Sequence, residues 1–463
     1  MNSKNWSRRD ILKVGGLIAM GAPLSGWASK QPEKNLFIPD FKPAEDFKPD
    51  RPITAVVLGA GNRGNVYAGY SKQFPDELKI IGVAEPIEFR RKRFAKEYEI
   101  PEDRQWTTWE DALGIAKFAD VLIITTPDNL HYDPAMHGLI LGYDLLLEKP
   151  ISQSWDECED IKKLAGQKNN IIGICHVLRY TAYFRKMKEI IESGILGDVV
   201  SIQHFEPINH IHMSHSYVRG NWRNEKESNP ILLAKSCHDL DILYWMTGKK
   251  CTRVSSFGAL NHFKSENAPE DSTSRCADGC KVEKDCPYSA LKIYHRDRTY
   301  LHHFDFVEGV DQGEQILRYL KEGQYGRCVY HCDNDVLDHQ VVLMEFEGNV
   351  SAAFSMEAFT SYHGRKTRIM GTMGDIVGDM ETMTVTNFRN GEVYVWDANK
   401  DTVITSGHGG GDYGLMHDFI RAVSKHDESM LTSNLAASME SHFVGFKAEE
   451  SRLFGSVVDV NRG

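Results

Sequence analysis

Apolar residues along this chain fall into two patterns, and the change between them comes near residue 175. Before it they form short unbroken runs at 53–58, 79–84, 120–125, 143–147 and 171–174, with a further short segment near Trp106. A strand that is apolar on both faces is buried on both faces, as in a parallel sheet covered by helices. Helical stretches lie between the runs, at 66–74, 87–98, 109–116, 130–141 and 154–168. Strands alternating with helices predict an α/β unit with a parallel sheet and right-handed crossovers. After 175 polar and apolar residues alternate instead, at 199–206, 252–259, 340–346, 350–359, 367–370, 383–388 and 392–396. Period-2 patterning in successive segments predicts an α+β unit with an open, mainly antiparallel sheet covered on one face. Its helices are expected at 181–193, 238–247 and 313–322, and the chain ends in helices near 412–424 and 433–454 that can pack back on the first unit.

The first run, Ile53 to Leu58, leads directly into Gly59-Ala60-Gly61-Asn62-Arg63-Gly64, with a helical stretch and a second strand behind it. In that setting GxGxxG reads as a dinucleotide-binding Rossmann turn. Gly59 makes the tight turn, Gly61 lets the backbone approach a pyrophosphate, Gly64 lets helix and strand pack, and Asn62 and Arg63 complete the loop. The helix N-terminus faces the phosphates. Glu85, 21 residues after Gly64 at the end of the second strand, is placed for the ribose hydroxyls and repels a 2′-phosphate. NAD is therefore favoured over NADP, with Arg90 and Arg91 nearby as the features that would suit NADP. Ligands of such a sheet sit beyond the carboxyl ends of its strands. Two motifs lie there: one runs from Thr126 through Pro127 and Asp128 to His131, and the other is Glu148-Lys149-Pro150.

Composition narrows the class. The 463 residues are 41% hydrophobic and 26% charged, with 54 basic against 65 acidic side chains and a net charge of −11. That excludes a disordered or multi-span membrane chain and argues against nucleic acid or an anionic membrane surface as partner. The N-terminus, Ser7-Arg8-Arg9-Asp10 followed by a short Gly/Ala-rich apolar run, has the twin-arginine pattern of folded-protein export. It predicts a Tat leader over 1–28, a linker over 29–50, a dinucleotide-binding domain over 51–175 and a substrate and oligomerisation domain over 176–463. A periplasmic protein follows, with the Tat machinery as a transient partner.

The second half holds several groups of chemistry-bearing residues. His176, Arg179 and Tyr180 follow the last strand of the first unit. The stretch 204–223 is dense in His, Tyr, Trp and Arg, including His215, Tyr217 and Trp222. Aromatic faces and polar tips of this kind suit a sugar; none of the histidines has HExxH metal spacing. His238 and Asp241 share a helix with Lys235 just before it. Cys276, Cys280, Cys286, Cys328 and Cys332 cluster within 57 of the residues, which leaves open disulfides, a structural metal or free thiols. Ser406 to Asp412, with His408 and three successive glycines, is either a lid or a linker.

The GxGxxG turn, the strand ending in Glu148-Lys149-Pro150 and the helix carrying His238-Asp239-Leu240-Asp241 together resemble the glucose–fructose oxidoreductase/inositol dehydrogenase/MocA (Gfo/Idh/MocA) family over roughly 52–455. The resemblance implies an NAD(P)-dependent oxidoreductase acting on sugars or cyclitols, with Lys149 between nicotinamide and substrate, His238 as acid/base group, and a homo-oligomer built on the open sheet. Family members commonly carry Asp four residues before the histidine. Here that position is Ala234, with Lys235 beside it as the alternative catalytic partner. Related branches include exported NAD-dependent glycosidases and enzymes that oxidise, eliminate and re-reduce a sugar. A carbohydrate-binding pseudoenzyme is the third alternative, opposed by intact Gly59, Gly61, Gly64 and Lys149.

Overall fold

The computed structural model describes residues 47–401 and 407–460. The leader and most of the linker lie outside the described residues. No helix among the described residues is long and apolar enough to cross a membrane.

The first sheet is built from β1 (Ile53–Leu58), β2 (Leu78–Ala84), β3 (Gln105–Trp106), β4 (Val121–Ile124), β5 (Asp144–Leu147) and β6 (Ile172–Ile174). All neighbours are parallel, in the order β3-β2-β1-β4-β5-β6. The helices between them are α1 (Asn62–Gln73), α2 (Glu88–Glu97), α3 (Trp109–Leu113), α4 (Tyr132–Leu141) and α5 (Trp155–Lys168). The unbroken apolar runs have the expected cause. Along β1, Ala55 and Val57 face one core, while Val56 and Leu58 face another on the opposite side. A later helix, α9 (Gly411–Lys425), puts Leu415, Met416, Phe419 and Ile420 into the first of these cores, so the C-terminal part of the chain completes the nucleotide fold.

The second sheet has nine strands in the order β14-β13-β12-β11-β7-β10-β9-β8-β15. They are β7 (Val199–Pro207), β8 (Cys251–Ala259), β9 (His339–Phe346), β10 (Val350–Glu357), β11 (Lys366–Gly371), β12 (Gly374–Gly378), β13 (Thr382–Asn387), β14 (Val393–Asp397) and β15 (Val458–Asp459). One pairing, β7 with β10, is parallel and the rest are antiparallel. Period-2 patterning specifies a half-covered strand but not the direction of its neighbour, which is why this pairing was not foreseen. The covered face packs on α6 (Ala182–Glu192), α7 (Cys237–Thr247) and α10 (Leu435–Phe454) through residues such as Phe184, Met187, Leu243 and Val444. The other face leaves Phe257, Leu343, Val393 and Val395 exposed.

Between β8 and β9 the chain makes a long excursion that includes α8 (Gln312–Glu322). It is held by a small core of its own, with Ile293, Tyr294, Phe304, Ile316 and Leu320. All nine cysteines are free thiols. Among the described residues no group of three His, Cys, Asp or Glu side chains is arranged to hold a metal ion. Cys276, Cys286, Cys328 and Cys332 instead lie around Arg219, which is fully buried. Its Nε donates to the Arg327 carbonyl at 2.6 Å and its Nη2 to the Tyr288 carbonyl at 2.6 Å and to Cys276 Sγ at 3.9 Å. Packing around this cation, rather than a covalent staple, ties the excursion down. The expected result is that all nine thiols titrate in denaturant without reductant, and that reductant leaves the melting temperature unchanged. A reductant-sensitive melt would show a cross-link instead.

Candidate active site

The Gly-rich turn follows β1. Gly59 has φ +97°, and a Cβ there would meet the Thr125 carbonyl oxygen at 2.6 Å. A Cβ on Gly64 would meet the Gly59 oxygen at 2.1 Å, so helix and turn close-pack only with glycine. Beside Gly61 nothing lies within 4 Å. A side chain would fill that space, and Gly61 leaves it open at the N-terminus of α1, whose first turn carries no acidic residue. The residues present therefore fit a dinucleotide phosphate.

Glu85 lies at the end of β2. One of its oxygens accepts from Ala60 N at 2.8 Å and the other from Ile87 N at 3.0 Å, bracing the Gly turn against α2. Each oxygen keeps a lone pair for a hydroxyl. The two nearby arginines are committed elsewhere. Arg90 Nε donates to Asp305 at 2.8 Å, and Arg91 Nη1 donates to the Glu85 carbonyl at 2.6 Å.

Arg63 turns inward. Its Nε donates to Glu148 at 2.7 Å, and its Nη2 donates to Tyr67 at 2.5 Å and to Asp412 at 2.7 Å. Asn62 is exposed at the start of α1. Burial acts to raise the Glu148 carboxyl, yet Arg63 and Lys149 hold it below its ordinary value. The same carboxylate accepts from the Lys149 backbone N–H at 3.0 Å, which fixes the strand end. His131 sits beneath, with Nδ1 2.7 Å from the Pro150 carbonyl and Nε2 3.0 Å from the Thr126 carbonyl. Thr126 Oγ1 in turn donates to the Leu130 carbonyl at 2.7 Å, and Pro127 is exposed on the same loop. The Lys149 side chain reaches out from this ledge, and its Nζ donates to the Ala234 carbonyl at 2.6 Å.

Three imidazoles gather behind Lys149. The His176 ring lies 5.6 Å from His238 and 5.4 Å from His442. His442, on α10, accepts from Ile151 N at 3.1 Å through Nε2, and its Nδ1 is 2.8 Å from the Ser438 carbonyl, which sets a neutral tautomer. Burial pushes His176 down to about 4 and His442 to about 3. Burial, with Lys149 next, drives His238 well below its ordinary value. His442 escaped the sequence reading because nothing in α10 marks one buried histidine as different from core.

A charged chain runs beside them. Lys235 Nζ is 3.3 Å from Glu206, Arg365 is 2.9 Å from the other Glu206 oxygen, and Arg365 also pairs with Asp239 at 2.5 Å. His204 Nε2 lies 2.9 Å from Asp239. Lys235 is thus partnered by Glu206 and not by His238. Glu206 and Arg365 were missed; the available signal was two polar side chains, His204 and Glu206, at inward positions of β7.

Other expected site residues fall elsewhere, each for a physical reason. Arg179 forms a two-pronged pair with Asp241, both bonds 2.6 Å, and both residues are buried. Tyr180 is buried with its hydroxyl 2.9 Å from Ser433 Oγ. These contacts lock α7 and the turn before α10 onto the chain after β6 and do not open on the site. His215 is buried between Tyr300 at 4.3 Å and Tyr325 at 4.7 Å, both nearly parallel to it. Asp128 is spent on Trp222 Nε1 at 3.0 Å and Ser228 Oγ at 2.9 Å, so it latches the loop after β4 to the second half rather than facing a cofactor. Trp222 in turn lies 6.1 Å from the buried Tyr217 ring.

His408 closes the arrangement. It lies on a turn of left-handed residues, with φ 49° at His408, 60° at Gly409 and 87° at Gly410. Its Nδ1 is 3.0 Å from Asp412, the carboxylate that also holds Arg63. Burial acts to raise Asp412, but His408 and Arg63 bring it down to about 2. The His408 imidazole lies near enough to His238 to act on it electrostatically.

The buried imidazoles set a pH dependence. A histidine near 6.5 in the unfolded chain that titrates near 4 in the fold, as His176 does, is neutral in both states above pH 7. Between pH 6.5 and 4 only the unfolded chain gains the proton, so stability falls as pH falls. His176→Leu, which removes two nitrogens without hydrogen-bond partners, should recover about 1–2 kcal/mol at pH 5 relative to pH 7. Urea denaturation at both pH values measures it; an equal effect at both would refute the neutral-imidazole assignment.

Known proteins agree with this architecture. Residues 53–176 match the NAD-binding Rossmann fold of the Gfo/Idh/MocA oxidoreductases, and residues 188–441 match their C-terminal alpha/beta domain. The chain is 24% identical over 370 residues to the putative oxidoreductase YteT of Bacillus subtilis (strain 168), covering 75% of this chain and 83% of that protein. It is 27% identical over 151 residues to scyllo-inositol 2-dehydrogenase (NADP(+)) IolW of the same organism, covering 33% of this chain and 40% of that one. An inositol dehydrogenase homolog from Azotobacter vinelandii, solved with NAD+, has the same fold with a TM-score of 0.63 at 15% identity, over 89% of this chain and 98% of its own. The two family matches span most of the described chain, and the protein belongs to the Gfo/Idh/MocA family of NAD-binding oxidoreductases.

Proposed function

We propose that the protein is an exported NAD-dependent oxidoreductase that transfers hydride from a carbinol carbon of a sugar or sugar derivative. The observation that carries this reading is the meeting of Lys149 and His238 at the carboxyl edge of the nucleotide sheet. Lys149 is anchored on Ala234 at 2.6 Å, and a neutral imidazole stands beside it. Gly59, Gly61 and Gly64 with Glu85 would hold the dinucleotide, which supplies the hydride acceptor when bound. The Lys149 ammonium hydrogen-bonds the reacting oxygen, and His238, kept neutral by burial, accepts the hydroxyl proton. General acid–base help of this kind contributes about 10²–10⁴ in rate.

NAD rather than NADP is supported by Glu85 at the ribose edge and by the commitment of Arg90 and Arg91 to Asp305 and backbone carbonyls. The exposed outer face of the second sheet, with Phe257 and Leu343, supports self-association there. The twin-arginine start supports export.

A second reading is favoured by His408. Paired with Asp412 and close to His238, it is a further proton donor at the open side of the site, which simple alcohol oxidation does not require. Redox-neutral cleavage does require one. Oxidation at a carbinol acidifies the neighbouring C–H, a base removes that proton, a protonated glycosidic oxygen leaves, and returned hydride restores the cofactor.

The tests separate these readings. Denatured protein should release NAD(H), and NADH should bind more tightly than NADPH, with Glu85→Ala narrowing the gap; tighter NADPH binding would overturn the assignment. Lys149→Ala and His238→Ala should each lose about 10²–10⁴ in rate on a panel of free sugars and glycosides. Near-normal turnover by both would remove them from the mechanism. NADH accumulation from a free sugar marks the dehydrogenase. Glycoside cleavage without net NADH, with solvent deuterium in the product and loss in His408→Ala, marks the cycling enzyme.

A further inference from the structure

We infer that Asp305, in the long excursion between β8 and β9, is a positioning residue for cofactor choice. It holds Arg90 and Arg93 of α2 and so denies a 2′-phosphate the cations that would recognise it. This rests on the reading of the protein as NAD-dependent, and it makes that preference depend on a residue outside the nucleotide fold.

Glu85 is followed closely by α2, where Arg90, Arg91, Lys92 and Arg93 stand in a row. Such a run beside the ribose edge would by itself attract a 2′-phosphate, because charge-assisted bonds between arginine and phosphate are strong. Two of the four cations are tied locally. Lys92 Nζ is 2.7 Å from Glu88, and Arg91 Nη1 donates to the Glu85 carbonyl at 2.6 Å. The other two share one carboxylate, Asp305. Arg90 Nε donates to one of its oxygens at 2.8 Å, and Arg93 Nη1 lies 3.9 Å from the other. That carboxylate comes from 215 residues further along the chain.

An exposed pair of two mobile side chains contributes little, but this carboxylate is fixed from its own side. The Asp305 carbonyl accepts from the Tyr319 hydroxyl at 2.5 Å. Gln315, buried in α8, accepts from Val307 N at 2.8 Å and donates to the Val307 carbonyl at 3.1 Å. Phe304 lies in the excursion's small core with Ile316 and Leu320. The loop is thus fastened on both sides of Asp305, and the Arg90 and Asp305 side chains are only 28% and 22% exposed. Burial, then His302 and Arg90, push His303 down to about 4, so its ring is neutral near pH 7 and does not compete as a cation for Asp305. The excursion is an arm that presents one negative charge to α2. With its guanidinium engaged by Asp305, Arg90 is compensated and held. Without Asp305 it would regain both its freedom and an unpaired charge beside the ribose edge.

NADH and NADPH are titrated into the full chain, and nicotinamide fluorescence gives a Kd for each. The native protein should bind NADH more tightly. Asp305→Asn should tighten NADPH about tenfold or more, the scale of one charge-assisted hydrogen bond, without weakening NADH. Asp305→Glu should keep the native preference. Adding Arg90→Met and Arg93→Met to Asp305→Asn should cancel the gain, because the freed guanidinium groups are its source. Tighter NADPH binding by the native protein sinks the NAD reading and this inference with it. A native preference for NADH that Asp305→Asn leaves unchanged overturns the inference alone and leaves the choice to Glu85. Equal weakening of both nucleotides in Asp305→Asn would show that Asp305 only supports the fold, and overturns it as well. So does a gain in NADPH affinity that survives removal of both arginines.

Discussion

The guanidinium of Arg63 is the joint on which the site depends. It issues from the Gly-rich turn and binds Glu148 at the end of β5 and Asp412 at the start of α9, both at 2.7 Å, while lying over the Tyr67 ring at 4.6 Å. One cation thus ties together the cofactor turn, the ledge that carries Lys149 and the strap that carries His408. Both carboxylates are almost inaccessible, with side-chain exposures of 8% and 1%. Removing the cation would leave two buried charges without their partner, a loss of about 3–5 kcal/mol for breaking such a pair. Any movement of the Gly turn is therefore transmitted directly to both chemical groups. The sequence places Arg63 in the loop as a cofactor residue; in the fold it works from behind the loop, setting its position rather than offering itself to a phosphate.

The same dry interior decides which groups can exchange protons. His176, His238 and His442 are held neutral because burial opposes their charged forms. A neutral imidazole beside Lys149 is a proton acceptor. His408, with its side chain 47% exposed and bonded to a carboxylate, stands in the opposite environment. Imidazoles thus stand in two contrasting surroundings without any difference in residue type.

What was legible in the sequence follows from how local each signal is. The strands of the first sheet could be read because burial on both faces leaves an unbroken apolar run, and the Gly turn because its geometry demands glycine at fixed offsets. Lys149 stood out as a charge at the end of such a run. The second half gave its strands by alternation but hid β12, whose Gly374 and Gly378 dilute the pattern, and the two-residue β15. Residues that work through long-range partners were invisible. Arg63 and Asp412 meet across 349 residues, and Arg365 and Asp239 across 126. Arg179 and Asp241 looked like ligands because a lone arginine and a lone aspartate are both polar and near the site; only their mutual pairing shows that each satisfies the other.

The backbone at Ala234 and the side chain at Lys235 do separate work. Lys149 needs an anchor across the cleft, and the Ala234 backbone carbonyl supplies it. That anchor is independent of the side chain, so the position is free to lose a carboxylate without releasing the lysine. Once the carboxylate is gone, the charge of the outer cleft is set by the next residue and by whatever faces it. Here that is Lys235 over Glu206, a residue from β7 already half-committed to Arg365. Glu206 and Asp239 together balance Lys235 and Arg365, so this chain of charges is neutral as a whole. A backbone anchor beside a charged side chain thus separates the fixing of Lys149 from the ion pairing at Lys235.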